Sequence, residues 1–272
     1  MNRIETLHDR LRATLRGYGR VLVAYSGGVD SALVLKVAAD LDASRALGVL
    51  GVSPSVAPED VEIARSTAQA IGAAMRELPT SEFDNESYAS NPVNRCYFCK
   101  SELYTKLSAL AAAEGFDVVA DGFQLDDLGD VRPGQQAGKE RRIRSPLAES
   151  GFRKADVRDL ARALGVPVWD RPAAPCLSSR VQFGVRVTAE VTAAVAQAER
   201  LVRAAVPLTR DLRVRHLAGN AARIEVDADR VPEAQAALPG LTTAFCDLGY
   251  ATVTVSAYRT GGANAPLPAE VA

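Results

Sequence analysis

The sequence predicts an α/β fold, a parallel sheet with helices on both faces, followed by a second, smaller α+β domain. Three observations carry this. Short apolar runs alternate with helical patterns through the first half of the chain, the rhythm of a parallel sheet covered on both faces. One run, Arg20 to Tyr25, meets the helix that follows it through two consecutive glycines, Gly27 and Gly28. Beyond residue 180 the rhythm gives way to two alternating stretches around Gly219-Asn220, which reads as a hairpin. The domains are expected at 1–180 and 181–260. Residues 261–272 carry two prolines and no core-forming pattern, and are expected to be a disordered tail.

A chain of 272 residues can bury a real core and hold one large or two modest domains. Lys and Arg total 32 against 33 Asp and Glu, a formal charge of −1, so no global basic field attracts nucleic acid. Met1 to Arg16 lacks the apolar centre of a signal peptide, and no run is long enough to span a membrane. The expected location is the cytoplasm. Four cysteines in a chain this long do not suggest a disulfide scaffold; chemistry or metal binding is the better use for some of them.

Ile4, Leu7, Leu11 and Leu15 form one helical stripe, closed by Gly17 and Gly19. The central strand is Arg20 to Tyr25, and Ala32 to Ala38 lie in the next helix. Arg45 to Val52 form the second strand. Pro58-Glu59-Asp60 opens a helix that stops at Gly72, since proline fits the first turn and acids suit its positive end. Ala73 to Pro79 make the third strand. Thr80 to Ser101 breaks the rhythm with a polar stretch that contains Cys96-Tyr97-Phe98-Cys99. A helix is expected from Ser101 to Glu114, a fourth strand over Phe116 to Ala120, and a helix over Lys154 to Gly165. Thr188 to Ala205 reads as a long helix, Asp229 to Leu238 as a short one, and Tyr250 to Ala257 as the last strand.

The functional candidates cluster in a few places. Ser26, Gly27, Gly28, Asp30 and Ser31 sit between strand and helix, where a glycine turn brings backbone close to a ligand and free N–H groups meet an anion. Asp30 either caps the helix or faces a ligand-bound cation. The loop lacks the Lys-Ser/Thr of the Walker motif and is not the dinucleotide fingerprint. Asp121-Gly122 and Asp126-Asp127 leave the fourth strand, and in an open parallel sheet ligands bind outside such carboxyl ends. A carboxylate there, Asp127, can hold Mg²⁺ against phosphates; the bland reading is a solvated acidic turn. The run Lys139 to Arg144 is a solvated face or a holder of phosphate or carboxylate. Cys176 lies in a loop shaped by Pro172 and Pro175, near Arg171 and Arg180, and nearby cations favour a thiolate. A lone Cys96-x-x-Cys99 fits redox pairs and zinc sites as well as other roles. Arg213 and Arg215, two apart on a strand, share a face.

The stretch Ser26-Gly27-Gly28-Val29-Asp30-Ser31 resembles the pyrophosphate loop of the ATP pyrophosphatases. Taken with Arg95-Cys96-Tyr97-Phe98-Cys99-Lys100, Arg132-Pro133-Gly134, Ser145-Pro146-Leu147, Pro175-Cys176-Leu177-Ser178-Ser179-Arg180, Arg213-Val214-Arg215-His216 and Ala222-Arg223-Ile224-Glu225-Val226, it resembles the LarE family over nearly the whole chain to about residue 260. These are ATP-dependent sulfur transferases of nickel-pincer nucleotide biosynthesis. The resemblance implies ATP and Mg²⁺ as cofactors and pyridinium-3,5-biscarboxylic acid mononucleotide as the small-molecule substrate. Its carboxylates are adenylated and then converted to thiocarboxylates. It implies a homo-oligomer, with a hexamer as the candidate size.

By the same resemblance Cys176 is the sulfur donor that becomes dehydroalanine, or Cys96, Cys99 and Cys176 ligate a [4Fe-4S] cluster whose open iron carries the transferred sulfide. The cluster reading is the one preferred. Arg213 and Arg215 are implied holders of the mononucleotide phosphate, Arg180 of that phosphate or of AMP, and Glu225 of the metal region. Cys246, in an apolar setting, is expected to be structural. Two departures stand out. The family's Asp-Gly-Thr-Asn is Asp121-Gly122-Phe123-Gln124 here, and Val255-Ser256-Ala257-Tyr258-Arg259 lacks the usual acids. Both bear on the substrate more than on adenylation. The rival readings are a tRNA thiolase of the same superfamily, which usually shows more basic surface, and a non-enzymatic iron–sulfur protein, which has no need of the glycine loop.

Overall fold

The structure is a computed structural model and describes residues 3–129 and 133–259; the expected tail and Arg132 lie outside the described residues. The chain begins α1 (Arg3–Tyr18), β1 (Val21–Ala24), α2 (Val29–Leu41), β2 (Ala46–Val52), α3 (Pro58–Ala70) and β3 (Met75–Pro79). It continues α4 (Glu86–Ala89), α5 (Arg95–Glu114), β4 (Val118–Ala120), α6 (Pro133–Glu140), α7 (Pro146–Glu149) and α8 (Lys154–Ala163). It ends α9 (Ala189–Ala205), β5 (Arg213–Leu217), β6 (Ala221–Val226), α10 (Val231–Asp247) and β7 (Thr252–Ala257). Among the described residues no helix is long and apolar enough to cross a membrane.

The chain divides into two compact units, Met1–Glu82 with Asn94–Ala174, and Phe83–Val93 with Pro175–Ala272. The division falls between 174 and 175, ahead of the expected 180/181. The polar segment Phe83–Val93 joins the second unit because its side chains and backbone bond there. Tyr88 Oη and Ser178 Oγ share a hydrogen bond of 2.7 Å. Asn91 Nδ2 donates to the carbonyls of Gln182 at 2.7 Å and Val185 at 2.9 Å.

In the first unit the strands lie in the order β3-β2-β1-β4, and every pairing is parallel. The apolar runs become buried strands, with Leu22, Val23 and Val49 fully enclosed. Helix α2 has apolar residues all round, and Ala32 to Leu35 are wholly buried, as befits a helix at the centre of a core. The stripe on α1 buries Leu7, Leu11, Leu15 and Tyr18. The α/β expectation holds, with one correction. Helix α5 starts at Arg95 rather than Ser101, so Cys96 and Cys99 lie in its opening turns. No glycine or proline stands between Asn94 and Gly115, so nothing stops the helix from running back through the polar sequence.

In the second unit β5 and β6 form the expected antiparallel hairpin. Gly219 at φ 71° and Asn220 at φ 56° supply its left-handed turn, a conformation those two residues tolerate best. Strand β7 joins β6 in parallel. Val214, Ile224 and Val226 pack with Val202 of α9 and Phe245 of α10 in one core. Helix α10 runs on to Asp247, past Pro239, where the expected helix stopped at Leu238. Burial of Leu241 and Phe245 beyond the proline offsets the hydrogen bond it removes. The same periodicity turns Cys246 outward. It is exposed, not in the apolar setting expected.

His216 lies on the core face of β5, 5.6 Å from the Tyr250 ring, with its Nδ1 buried and unpartnered. Burial holds its pKa below the ordinary value. A depressed histidine pKa contributes stability above the unfolded value of about 6.5 and loses it as pH falls through the folded value. His8, the other histidine of the chain, is lowered in the same way. Thermal denaturation should therefore show a melting temperature that falls from pH 7.5 to pH 5.5, and His216→Leu should flatten part of that fall. An unchanged pH dependence in the variant would contradict this reading of the buried imidazole.

Candidate functional site

The glycine loop is fixed from both sides. Tyr25 is buried and donates its hydroxyl to the carbonyl of Ala64 at 2.9 Å. The chain then turns at Gly27, φ +73°, where a Cβ would stand 2.8 Å from Cβ of Ala64 on α3. Ser26 N–H donates to Ser31 Oγ at 3.1 Å, and Ser31 Oγ donates to the carbonyl of Gly28 at 3.2 Å. The N-cap Gly28 supplies no side-chain cap to α2. The first N–H groups of this 13-residue helix are therefore left for an anion.

Strand β1 has β2 on one side and β4 on the other, so the chain order reverses at β1. That is where ligands bind in open parallel sheets. The turn after β4 comes directly against the start of α2. A Cβ on Gly122 would lie 2.7 Å from Ser31 N and 3.0 Å from the carbonyl carbon of Asp30, so no larger residue fits. Beside it the Asp121 carboxylate accepts from Ser145 Oγ at 2.8 Å and from Phe123 N–H at 3.1 Å. Burial raises its pKa against those bonds.

Asp30 projects from the first turn of α2. Its Oδ2 accepts from Lys154 Nζ at 2.6 Å, while its Oδ1 is buried without a partner. A buried carboxylate oxygen with nothing to satisfy it, next to open helix N–H groups, suits a cation carried in on a phosphate. The residues present thus fit Mg²⁺ at Asp30. In the acidic turn, Asp126 accepts from Arg153 Nη1 at 2.7 Å and from Lys154 N–H at 2.8 Å, which ties it to the start of α8. Asp127 is half-buried, and its Oδ2 accepts from Gln124 N–H at 3.3 Å.

Cys96 is exposed and Cys99 half-buried, one helical turn apart on α5. The ammonium of Lys100 lies 5.5 Å from the Tyr104 ring. Tyr104 first, and also Cys99, Asp121 and Cys96, hold its pKa above the ordinary lysine value. A cation thus stands among the two thiols and the acid at the end of β4. Among the described residues no group of three or more His, Cys, Asp or Glu is placed to hold a metal ion. Helix α5 by itself supplies two of the three thiolates that the expected cluster requires.

In the second unit Cys176 is half-buried at the start of a short 3-10 turn, Leu177–Arg180. Arg180 is buried behind it. Its Nη1 donates to the carbonyls of Pro175 and of Cys176, the latter at 3.0 Å, and its Nε donates to Glu199 at 2.9 Å. Leu177 and Ser178 are buried, so the loop is anchored around a cysteine that reaches the surface. The expectation placed two cations beside the thiol. Arg180 is instead engaged as just described, and Arg171 donates to Asp60 at 2.6 Å.

Arg213 and Arg215 do share a face, and the β5–β6 register sets them opposite Glu225 and Arg223. Arg215 Nε donates to Glu225 at 2.8 Å and Arg223 Nε donates to the same carboxylate at 3.1 Å. Glu225, expected near a metal, is thus held between two guanidinium groups. Arg213 stands 5.5 Å from the Tyr258 ring. Burial foremost, and then the charge of Arg180, lowers its pKa. Four buried arginines, Arg180, Arg213, Arg215 and Arg223, therefore gather around Glu199 and Glu225. Guanidinium forks of this kind match phosphate and carboxylate groups. Arg223, Glu199 and Lys154 were not among the expected site residues. Arg223 was within reach, because the Gly219-Asn220 turn sets the register that pairs it with Arg215.

No family model matches the chain. It is 43% identical over 269 residues, 96% of this chain and 98% of the other, to an uncharacterised protein of Synechocystis. It is 33% identical over 267 residues, 97% and 96%, to pyridinium-3,5-bisthiocarboxylic acid mononucleotide synthase of Lactiplantibacillus plantarum. It is 31% identical over 196 residues, 56% and 49%, to the tRNA-specific 2-thiouridylase MnmA of Azorhizobium caulinodans. Near-complete coverage by the synthase, with the glycine loop at the switch point of a parallel sheet, makes this chain a member of the LarE family within the pyrophosphate-loop superfamily.

Proposed function

We propose that this protein is an ATP-dependent sulfur transferase that adenylates the carboxylates of pyridinium-3,5-biscarboxylic acid mononucleotide and turns them into thiocarboxylates. The observation that carries the reading is the uncapped start of α2 beside the orphan Oδ1 of Asp30, on a chain that aligns end to end with the Lactiplantibacillus synthase. A carboxylate is a poor electrophile. Attack of its oxygen on the α-phosphorus of ATP expels pyrophosphate and leaves an acyl-AMP. The N–H groups of α2 stabilise the departing charge. Mg²⁺ at Asp30 would neutralise phosphate charge there.

Sulfur then attacks the acyl carbon, and AMP leaves with the bonding pair. When Cys176 is the nucleophile its thiolate forms a thioester. Loss of the Cα proton and cleavage of the Cβ–S bond release the thiocarboxylate and leave dehydroalanine. A [4Fe-4S] cluster on Cys96, Cys99 and Cys176 would supply a terminal sulfide instead, and this remains the preferred source. The Cys-x-x-Cys pair on one turn of α5 beside Lys100 supports it. The buried arginines around Glu225 would receive the mononucleotide phosphate. The protein is expected to work in the cytoplasm as a homo-oligomer, a hexamer being the candidate size.

Two outcomes are expected. Arg213→Ala should weaken mononucleotide binding at least about tenfold, or about 1.4 kcal/mol, with ATP affinity unchanged in parallel titrations; unchanged substrate affinity would remove the phosphate assignment. After anaerobic purification, iron and labile sulfide should each approach about four per chain, and Cys96→Ala should lose both along with multiple turnover. Absence of iron after reconstitution, with loss of one sulfur from Cys176 by protein mass after a single turnover, would establish the sacrificial route instead.

A further inference from the structure

The proposed chemistry uses Asp30 but gives no part to Lys154, the residue ion-paired with it. The two residues are 124 positions apart and come from different elements, the first turn of α2 and the first residue of α8. Asp126 holds the Lys154 end of α8 in place through the Lys154 N–H, at 2.8 Å. The pair is lopsided. Asp30 Oδ2 has the ammonium at 2.6 Å, while Oδ1 is buried and empty-handed. The Lys154 side chain is 39% exposed, so its flexible stem has room to turn. An ammonium is a compact point charge that re-aims readily, unlike a guanidinium locked in a fork. The nearest open donors, the N–H groups at the start of α2, lie on the same turn as Asp30.

We propose that Lys154 is a resident counter-cation of Asp30 that is exchanged when a cation-bearing nucleoside triphosphate binds. Asp30 would then pair with the incoming divalent cation in place of Lys154. Lys154 Nζ, released, donates to a phosphate oxygen at the mouth of the glycine loop. Without the divalent cation the exchange is unfavourable, because moving Lys154 to phosphate would leave a partly buried carboxylate, its Oδ1 already enclosed, with no partner on either oxygen. Lys154 is therefore a conditional phosphate ligand, and it couples nucleotide affinity to the presence of the cation. This rests on the ATP reading of the glycine loop and deepens it.

The test is calorimetric titration of the full-length protein with α,β-methylene-ATP, which cannot release pyrophosphate, once in Mg²⁺ and once in EDTA. Lys154→Met should weaken binding at least about tenfold in Mg²⁺ and less than about twofold in EDTA. Asp30→Asn, which frees the ammonium from its carboxylate, should abolish the enhancement by Mg²⁺ and tighten binding in EDTA. Melting curves of both variants establish that they are folded. Equal weakening of Lys154→Met in the two conditions would overturn the exchange and leave an ordinary phosphate-binding lysine. No weakening in Mg²⁺ would overturn it too, leaving a structural pair. Failure of the wild-type protein to bind the analogue at all would remove the ATP reading itself, a result distinct from either.

Discussion

The close approach of two backbone turns is the constraint on which the first unit depends. The turn after β1 carries the glycine loop, and the turn after β4 brings Gly122 so near the start of α2 that a Cβ added to it would lie 2.7 Å from Ser31 N and 3.0 Å from the carbonyl carbon of Asp30. Neither turn could sit there with a larger residue at Gly27 or Gly122, since a single added methyl group would overlap Ala64 on one side or α2 itself on the other. Their contact follows from the strand order, because a parallel sheet that grows outward on both sides of β1 must open at the carboxyl end of β1 and its neighbour β4. Everything chemical in this unit gathers around that opening: the uncapped start of α2, the half-satisfied Asp30, the buried Asp121, and Lys100 with its two thiols.

The second unit solves a different problem. It buries four arginines, and buried charge is tolerated only when paired and hydrogen-bonded. Glu225 lies between Arg215 and Arg223, and Glu199 holds Arg180 while accepting from the N–H of Val214 at 3.1 Å. Removing either carboxylate would leave its guanidinium partners uncompensated, at a cost of about 3–5 kcal/mol. Such a buried cluster is cationic on balance, four guanidinium groups against two carboxylates, a charge that matches phosphate better than a metal ion. The opposite face of the same hairpin is an ordinary apolar core, so one strand, β5, supplies buried arginines with one set of alternate residues and core packing with the other.

Most of the fold was legible because it is local. Strand runs, the glycine turn and the Gly219-Asn220 hairpin each declare themselves within a few residues. Helix α5 was read too short because its first turns look polar, although no helix breaker interrupts them. Helix α10 was read too short for the opposite reason, since Pro239 is a breaker that tertiary burial of Phe245 overrides. The loop Ser26–Ser31 was legible as a site, and so was the shared face of Arg213 and Arg215. The partners that give those residues their character were not. Lys154 meets Asp30 across 124 residues, and Tyr88 and Asn91 reach the Cys176 loop across about 90. Nothing local marks such pairs; only the folded chain brings them together.

Activation of the mononucleotide's carboxylates at the glycine loop is the step on which the proposed function stands. The most direct measurement is the release of pyrophosphate and AMP from ATP with pyridinium-3,5-biscarboxylic acid mononucleotide present, absent, or replaced by tRNA. Pyrophosphate and AMP are expected in equal amounts, dependent on the mononucleotide and indifferent to tRNA. Release that depends on tRNA, or products that are ADP and inorganic phosphate, would contradict it.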